Sequence, residues 1–148
     1  MTPIRLLLVL LAVLLAGAQP AAAADSSCAS GEPRAGIKTI TLLARKPGTS
    51  LEDFKRHYET VHVPGARARI PALARADYRR NFIGEARPGA PIDFDVVTEM
   101  RFASEAEYAE MRKTTSDPAV SAWIVADIVK FADPSKTRTY VVEECVSK

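Results

Sequence analysis

The sequence predicts an α+β fold of the ferredoxin-like type, in which two helical segments cover one face of an antiparallel sheet. Stretches of alternating apolar and polar residues, typical of strands, combine with two stretches of helical spacing. Their order along the chain is strand, helix, strand, strand, helix, strand, which is the ferredoxin-like βαββαβ pattern. Turn residues such as Pro47-Gly48 and Pro88-Gly89 separate the elements.

Residues 1–24 precede this fold and have the features of a secretory signal peptide. Arg5 supplies a positive charge, Leu6 to Gly17 form an apolar run, and Ala21 to Ala23 provide a small-residue cleavage site. The alternative is an uncleaved anchor, but the run is short for a hydrocarbon layer of about 30 Å. We therefore predict an exported protein, periplasmic or secreted, without a stable membrane anchor once the signal is removed.

Residues 25–36 are rich in Ser, Gly, Ala and Pro and are predicted to be a linker, leaving residues 37–148 as the folded domain. The formal net charge is +2, and acidic and basic residues are interspersed, which argues against a nucleic-acid partner. Cys28 and Cys145 are expected to form a disulfide, because the last strand of this fold runs beside the first. Two unpaired thiols are the alternative.

The first strand is predicted over Ile37 to Arg45 and the first helix from Leu51 to about His62. Ser50 can cap this helix, and Leu51, Phe54, Tyr58 and Val61 form its apolar face. Pro64 predicts the end of the helix near His62.

The two histidines of this helix are expected to point in different directions. In a regular α-helix His57 lies roughly 140° around the axis from His62. His62 would then face the core, and His57 would face solvent.

Three further strands and one further helical region complete the pattern. The strands are predicted over Asp77–Glu85, Phe94–Phe102 and Thr137–Val146. Ser104 caps a helix, and Pro118 opens a further helical piece. The residues that recur there near helical spacing are Val120, Trp123, Ile124, Asp127, Ile128 and Phe131.

One face of the predicted sheet has no helix to cover it. The large apolar side chains expected there are those of Leu43, Phe82, Val97, Tyr140 and Val142. Because a large exposed apolar surface marks an interface, we expect a homodimer that packs sheet against sheet.

Several segments resemble EthD-type domains of the dimeric α/β-barrel superfamily. They are Ile37-Lys-Thr-Ile-Thr-Leu-Leu-Ala-Arg-Lys-Pro-Gly48, Ser50-Leu-Glu-Asp-Phe54 with Tyr58 and His62-Val-Pro64, Asp95-Val-Val-Thr-Glu-Met-Arg-Phe102, and Phe131-Ala-Asp133. The resemblance extends over Ile37 to Val146. Members often carry tryptophan where this chain has Tyr58.

The resemblance implies a ferredoxin-like dimer, a dimeric α/β-barrel, with a cavity between helices and sheet in each subunit. Relatives are linked to degradation of ethers or to dehydration and cyclisation of polyketide-like aromatics without a bound metal, so a lyase or isomerase activity without a cofactor is the expectation. An imidazole can exchange a proton near neutral pH, so His62 is the candidate catalytic residue, with completion of the helix end as its alternative role. Tyr58, Tyr78, Asn81 and Trp123 are the candidate substrate-binding residues. Packing in the core or sheet is the alternative for these side chains.

The predicted function is a small exported, cofactor-free enzyme that moves a proton during dehydration, cyclisation or isomerisation of an apolar or aromatic carbonyl compound. The alternative is a non-catalytic periplasmic module that binds a small hydrophobic ligand or acts as a dimeric interaction domain. A third alternative is a haem-degrading or haem-binding relative, in which only His62 could serve as an axial ligand. The sequence has no metal-binding cluster of His, Cys or carboxylates, no Gly-rich phosphate loop and no Ser-His-Asp signature.

Overall fold

The computed structural model describes residues 28–29, 31–84, 89 and 92–147, and the predicted signal peptide lies outside them. In chain order the elements are β1 (Glu32–Pro33), β2 (Ile37–Leu43), α1 (Leu51–His57), a π-helical turn (Tyr58–His62), α2 (Val63–Arg69), α3 (Pro71–Arg75), β3 (Asp77–Phe82), β4 (Val96–Phe102), α4 (Glu105–Thr115), α5 (Pro118–Phe131), a 3₁₀ turn (Pro134–Lys136), β5 (Arg138–Val142) and β6 (Cys145–Val146).

The predicted ferredoxin-like fold is confirmed. Four strands form one sheet in the order β3-β4-β2-β5, and each neighbouring pair is antiparallel. Within the described part of the chain the sheet is open, with β3 and β5 at its edges, so one subunit does not close a barrel.

The predicted disulfide between Cys28 and Cys145 is present, with the two Cα atoms 5.7 Å apart. The predicted last strand is interrupted after Val142, and its end forms β6, which pairs with β1 in a separate two-stranded sheet. Residues 32–33, which the sequence assigned to a linker, are therefore hydrogen-bonded in β1. The disulfide links the same two segments, because Cys28 lies shortly before β1 and Cys145 lies in β6.

The core lies between the helices and one face of the four-stranded sheet. Side chains at its centre are Phe54, Val96, Phe102 and Phe131, each at most 1% exposed. The prediction that Leu43 and Phe82 lie on the uncovered face is wrong, since Leu43 is buried in this core and Phe82 packs against it. The alternation of apolar residues did not identify the side of β2 that faces the core, because that side also carries two threonines, Thr39 and Thr41.

The opposite face of the sheet carries no helix among the described residues. The strand registers place Ile40 and Leu42 beside Val97 and Tyr140 on this open face, and Val142 lies on it too. Tyr140 is 51% exposed. At one end of the face Lys38 pairs with Glu99 and Glu144, so the surface combines an apolar band with an ionic network.

The first helix does not end near His62 but continues past Pro64 to Arg69. Val63 keeps helical backbone angles although it precedes a proline, and its N–H donates to the Tyr58 carbonyl five residues earlier. Proline cannot donate the regular bond to the residue four positions before it. The wider π turn changes the bonding register just before Pro64 and lets the helix pass through it.

Candidate functional site

A partly enclosed cavity of about 380 Å³ lies between the helices and the covered face of the sheet. Its wall is mostly apolar, and exposed Val125 and Thr139 mark its open side. The lining residues are Thr41, Leu43, Tyr58, His62, Ala66, Ile70, Leu73, Tyr78, Thr98, Met100, Met111, Thr115, Ser121, Ile124, Val125, Ile128, Thr137 and Thr139. A cavity of this size and character suits a small organic molecule.

The π turn places two of the polar lining residues. Tyr58 is its first residue and His62 its last, and both side chains are buried. Because the turn forms bonds between residues five apart, one turn also separates His57 from His62. The two imidazoles therefore lie on the same side of the helix. The prediction that His57 points away from His62 and into solvent is wrong.

Both imidazoles bind the carboxylate of Asp127 on α5. The distance from His62 Nδ1 to Asp127 Oδ2 is 2.9 Å, and His57 Nε2 lies 3.0 Å from Asp127 Oδ1. Asp127 is 2% exposed and His62 is 8% exposed, so the contact between these two side chains is shielded from water. The Phe131 ring contacts both imidazoles, with centroid distances of 4.8 Å to His57 and 5.3 Å to His62.

The environment sets the charge of these groups. Burial lowers the pKa of His62, and the hydrogen bond to Asp127 only partly offsets this effect. Burial tends to raise the pKa of Asp127, but the hydrogen bonds from His62 and His57 outweigh it and hold that pKa below its usual value. At neutral pH the carboxylate is ionised, and neutral His62 donates its Nδ1–H to it. The free lone pair then resides on Nε2 of His62.

The phenol side chains of Tyr58 and Tyr78 line the same cavity as His62. The Tyr58 hydroxyl lies 2.7 Å from Thr98 Oγ1, and the Tyr78 ring lies under the guanidinium of Arg80 at 4.9 Å. Burial raises the pKa of Tyr58 well above its ordinary value and also raises that of Tyr78. Both phenols are therefore protonated at neutral pH and can act as hydrogen-bond donors.

Of the residues selected from the sequence, the structure brings Tyr58, His62 and Tyr78 together at the cavity. Trp123 lies behind His62, with the rings stacked at 5.9 Å, and does not line the cavity. Asn81 lies on the open face, where its amide donates to Glu99 Oε1 at 2.8 Å. It is therefore separated by the sheet from the other candidates.

Sequence reasoning missed Asp127 and His57 as members of the site. Asp127 occupies a position in the apolar pattern of α5 together with Ile124, Ile128 and Phe131. A carboxylate on the buried side of a helix needs a partner, because an isolated buried charge is costly. This signal could have identified Asp127, whereas the position of His57 depends on the π turn.

A larger but shallower hollow of about 620 Å³ lies at the end of the sheet, among Arg45, Gly48, Asp93, Asp95 and Lys136. It contains neither a histidine nor a tyrosine, and for that reason the smaller cavity is the better candidate site. Within the described ranges, no group of three or more His, Cys, Asp or Glu residues is placed to hold a metal ion. No helix in those ranges is both long and apolar enough to cross a bilayer.

Several solved structures are similar to this chain. An EthD family protein from Bacillus halodurans has 21% identity and a TM-score of 0.52, covering 73% of this chain and 98% of its own. This similarity shows a shared fold. A DABB family protein with a ferredoxin-like fold from Mesorhizobium loti has 18% identity and a TM-score of 0.46, covering 74% of this chain and 96% of its own.

A dimeric protein of unknown function with a ferredoxin-like fold from Bacteroides fragilis has 11% identity and a TM-score of 0.44, covering 78% of this chain and all of its own. No curated protein shows significant similarity to this chain. The EthD domain family model matches residues 46–135, which include the π turn, both histidines and Asp127. The chain therefore belongs to the EthD family.

Proposed function

We propose that the protein is a cofactor-free enzyme that moves a proton on a small apolar or aromatic carbonyl compound. The observation that carries this proposal is the His62 imidazole at the cavity wall, held at Nδ1 by buried Asp127. A carboxylate in this position fixes the tautomer and the orientation of the ring. It also stabilises the imidazolium that forms when Nε2 takes up a proton.

In the proposed reaction, Nε2 of His62 removes a proton from the carbon next to the carbonyl group. The electron pair of the broken C–H bond moves toward the carbonyl oxygen, and the phenol of Tyr58 or Tyr78 stabilises the developing charge by donating a hydrogen bond. His62 then returns the proton to another carbon in an isomerisation. In a dehydration it protonates a leaving hydroxyl group, which departs as water.

The electrostatics of the cavity support catalysis over simple binding. A lowered pKa keeps His62 unprotonated at neutral pH, as a general base requires. Raised pKa values keep the two phenols protonated, as hydrogen-bond donors require. An apolar binding cavity would need neither a buried carboxylate nor an oriented imidazole, both of which are costly to bury.

The experiment measures deuterium incorporation next to the carbonyl group in D₂O, by proton NMR, for a panel of small aromatic ketones and aldehydes. Wild type should accelerate exchange for at least one compound, and His62→Gln should lower the rate by about 10²-fold or more. Lys113→Gln changes an exposed side chain on α4 that lines neither the cavity nor the open face, so it should leave the rate unchanged. Full exchange in His62→Gln would refute the assigned role. Binding of a panel compound by wild type without exchange would favour the ligand-binding alternative.

We also propose that the active form is a homodimer in which the open sheet faces pack together as an α/β-barrel. The apolar band of Ile40, Leu42, Val97, Tyr140 and Val142 supports this, because burial of such a surface against a second copy is favourable. The partner would cover the face opposite the catalytic cavity.

Export is proposed from the N-terminal sequence. The disulfide between Cys28 and Cys145 is compatible with an oxidising compartment, where such bonds persist. Expression of the full chain followed by mass spectrometry of the mature N-terminus tests this proposal. Removal of about 24 residues is expected, and an intact N-terminus would contradict it.

A further inference from the structure

The sequence contains two histidines, and both bind the same buried carboxylate. The proposed reaction uses only His62. His57 approaches Asp127 from the other side, and its side chain is 24% exposed, compared with 10% for His62. A second imidazole on the carboxylate, closer to solvent, therefore needs an explanation.

The two imidazoles face different spaces. His62 lines the cavity, whereas His57 lines a separate surface hollow of about 280 Å³ together with Asp53, Arg56, Thr60 and Lys130. Each ring points one nitrogen at Asp127, Nδ1 in His62 and Nε2 in His57. The nitrogens that remain to gain or lose a proton are thus Nε2 of His62 and Nδ1 of His57.

We propose that His57, Asp127 and His62 form one unit that carries a single extra proton, which resides on His57 while His62 is neutral. This proposal rests on the proposed function of His62. When Nε2 of His62 takes a proton from a molecule in the cavity, Nδ1 of His57 releases a proton to water. When His62 returns its proton, Nδ1 of His57 takes one up again. The net charge of the unit stays constant, and no proton passes through Asp127.

The hydrogen bonds permit this exchange without rearrangement. Nδ1–H of His62 donates to Oδ2, and Nε2–H of His57 donates to Oδ1, in both protonation states of each ring. One carboxylate charge compensates one imidazolium, whereas two imidazolium ions on it would repel each other. The ring of Phe131 is stacked on His57 and tilted against His62, so an imidazolium at His57 meets its aromatic face.

Other charged groups near the unit influence the charge of His62 less than His57 does. Lys130 Nζ lies 3.6 Å from Asp127 Oδ1, but its side chain is 61% exposed and is screened by solvent. Asp53 and Arg56 share the hollow with His57 and pair with each other. His57 is therefore the group whose charge is best placed to act on His62 through Asp127.

The test is an NMR titration of the full chain labelled with ¹⁵N in the histidine rings, followed between about pH 4.5 and 8.5. Since the chain has two histidines, His57→Gln and His62→Gln each leave one ring to observe. His57→Gln should raise the proton affinity of the His62 imidazole by about threefold or more, because it removes the imidazolium from the shared carboxylate. His62→Gln identifies the signals of the His57 ring, so the two titrations can be assigned. Arg56→Gln removes a neighbouring positive charge that does not touch Asp127, and it should leave both titrations unchanged.

A titration of His62 that His57→Gln leaves unchanged would overturn the proposal. His57→Asn replaces His57→Gln if the latter does not fold. The titration needs no substrate, so it decides this proposal even if no panel compound shows exchange and the proposed function fails. If exchange occurs, His57→Gln should move the acidic limb of its pH–rate profile to higher pH. An unmoved limb would contradict the proposal and leave the function of His62 intact.

Discussion

Replacement of Asp127 tests the centre of the site through its contribution to stability. Asp127→Asn keeps the shape of the side chain but removes its charge, and Asp127→Ala removes the acceptor altogether. Both imidazole contacts are short, at 2.9 and 3.0 Å, and the carboxylate is buried. The folded protein should therefore depend measurably on this one side chain.

The size of the effect follows from the two hydrogen bonds. A hydrogen bond to an ionised group contributes about 1.5–3 kcal/mol, and one between neutral groups about 1 kcal/mol. In Asp127→Asn one amide oxygen can still accept a bond, but the amide nitrogen cannot accept one from the second imidazole. We expect Asp127→Asn to lower the free energy of unfolding by about 2–3 kcal/mol. Asp127→Ala leaves the His62 donor buried without a partner, and the expected loss is about 3–5 kcal/mol.

Urea unfolding at pH 7 measures these losses. Trp123 is the single tryptophan and stacks on His62, so its fluorescence reports directly on the site. Asp117→Asn is the matched control, because Asp117 lies exposed at the start of the same helix and asparagine caps a helix as well as aspartate does. The control should change stability by less than about 0.5 kcal/mol. If Asp127→Asn changes the free energy of unfolding as little as the control does, the two imidazole–carboxylate contacts do not stabilise the fold.

Three further predictions concern pH, the open face and the disulfide. Burial holds the pKa of His62 below its unfolded value near 6.5, so the unfolded state binds more protons and stability should fall as the pH drops from about 6.5 through the folded value. Urea titrations should show this slope and should lose it in His62→Gln, whereas a slope that persists would contradict the assignment. Tyr140→Asp places a charge in the apolar band and should convert the proposed dimer to a monomer in light scattering after size exclusion, whereas a dimer in the variant, or a monomeric wild type, would refute the sheet-to-sheet arrangement. The paired substitution of Cys28 and Cys145 by serine should lower the free energy of unfolding by about 2–5 kcal/mol in urea, and a loss below about 0.5 kcal/mol would show that the bridge constrains little.

Features that follow from local pattern could be predicted from the sequence. The order of strands and helices determined the fold, and that fold placed Cys145 near the start of the first strand. Ser50 caps its helix as expected, with the Asp53 N–H donating to its hydroxyl. Spacing placed Tyr58 and His62 on one face of the helix, the resemblance to EthD-type domains selected them as site candidates, and both lie at the cavity.

The orientation of the sheet could not be predicted in the same way. Ile40 and Leu42 form the more apolar side of β2, yet they lie on the open face, while Thr39 and Leu43 face the helices. A strand can carry apolar residues on both sides when both faces of the sheet are interfaces, so alternation alone does not identify the core side. For the same reason the sequence did not show that Tyr78 faces the cavity while Asn81 faces the open side. The two residues lie on opposite sides of β3.

The His57–Asp127–His62 bridge depends on a departure from α-helical geometry that begins at Tyr58. With regular spacing, residues five apart lie roughly 140° apart, and one carboxylate could not contact both imidazoles. The π turn makes five residues equivalent to one turn, so His57 and His62 face α5 together. It also lets the helix pass Pro64, which places Ala66 and Ile70 on the far wall of the cavity. One irregular turn therefore both assembles the bridge and completes the cavity that His62 faces.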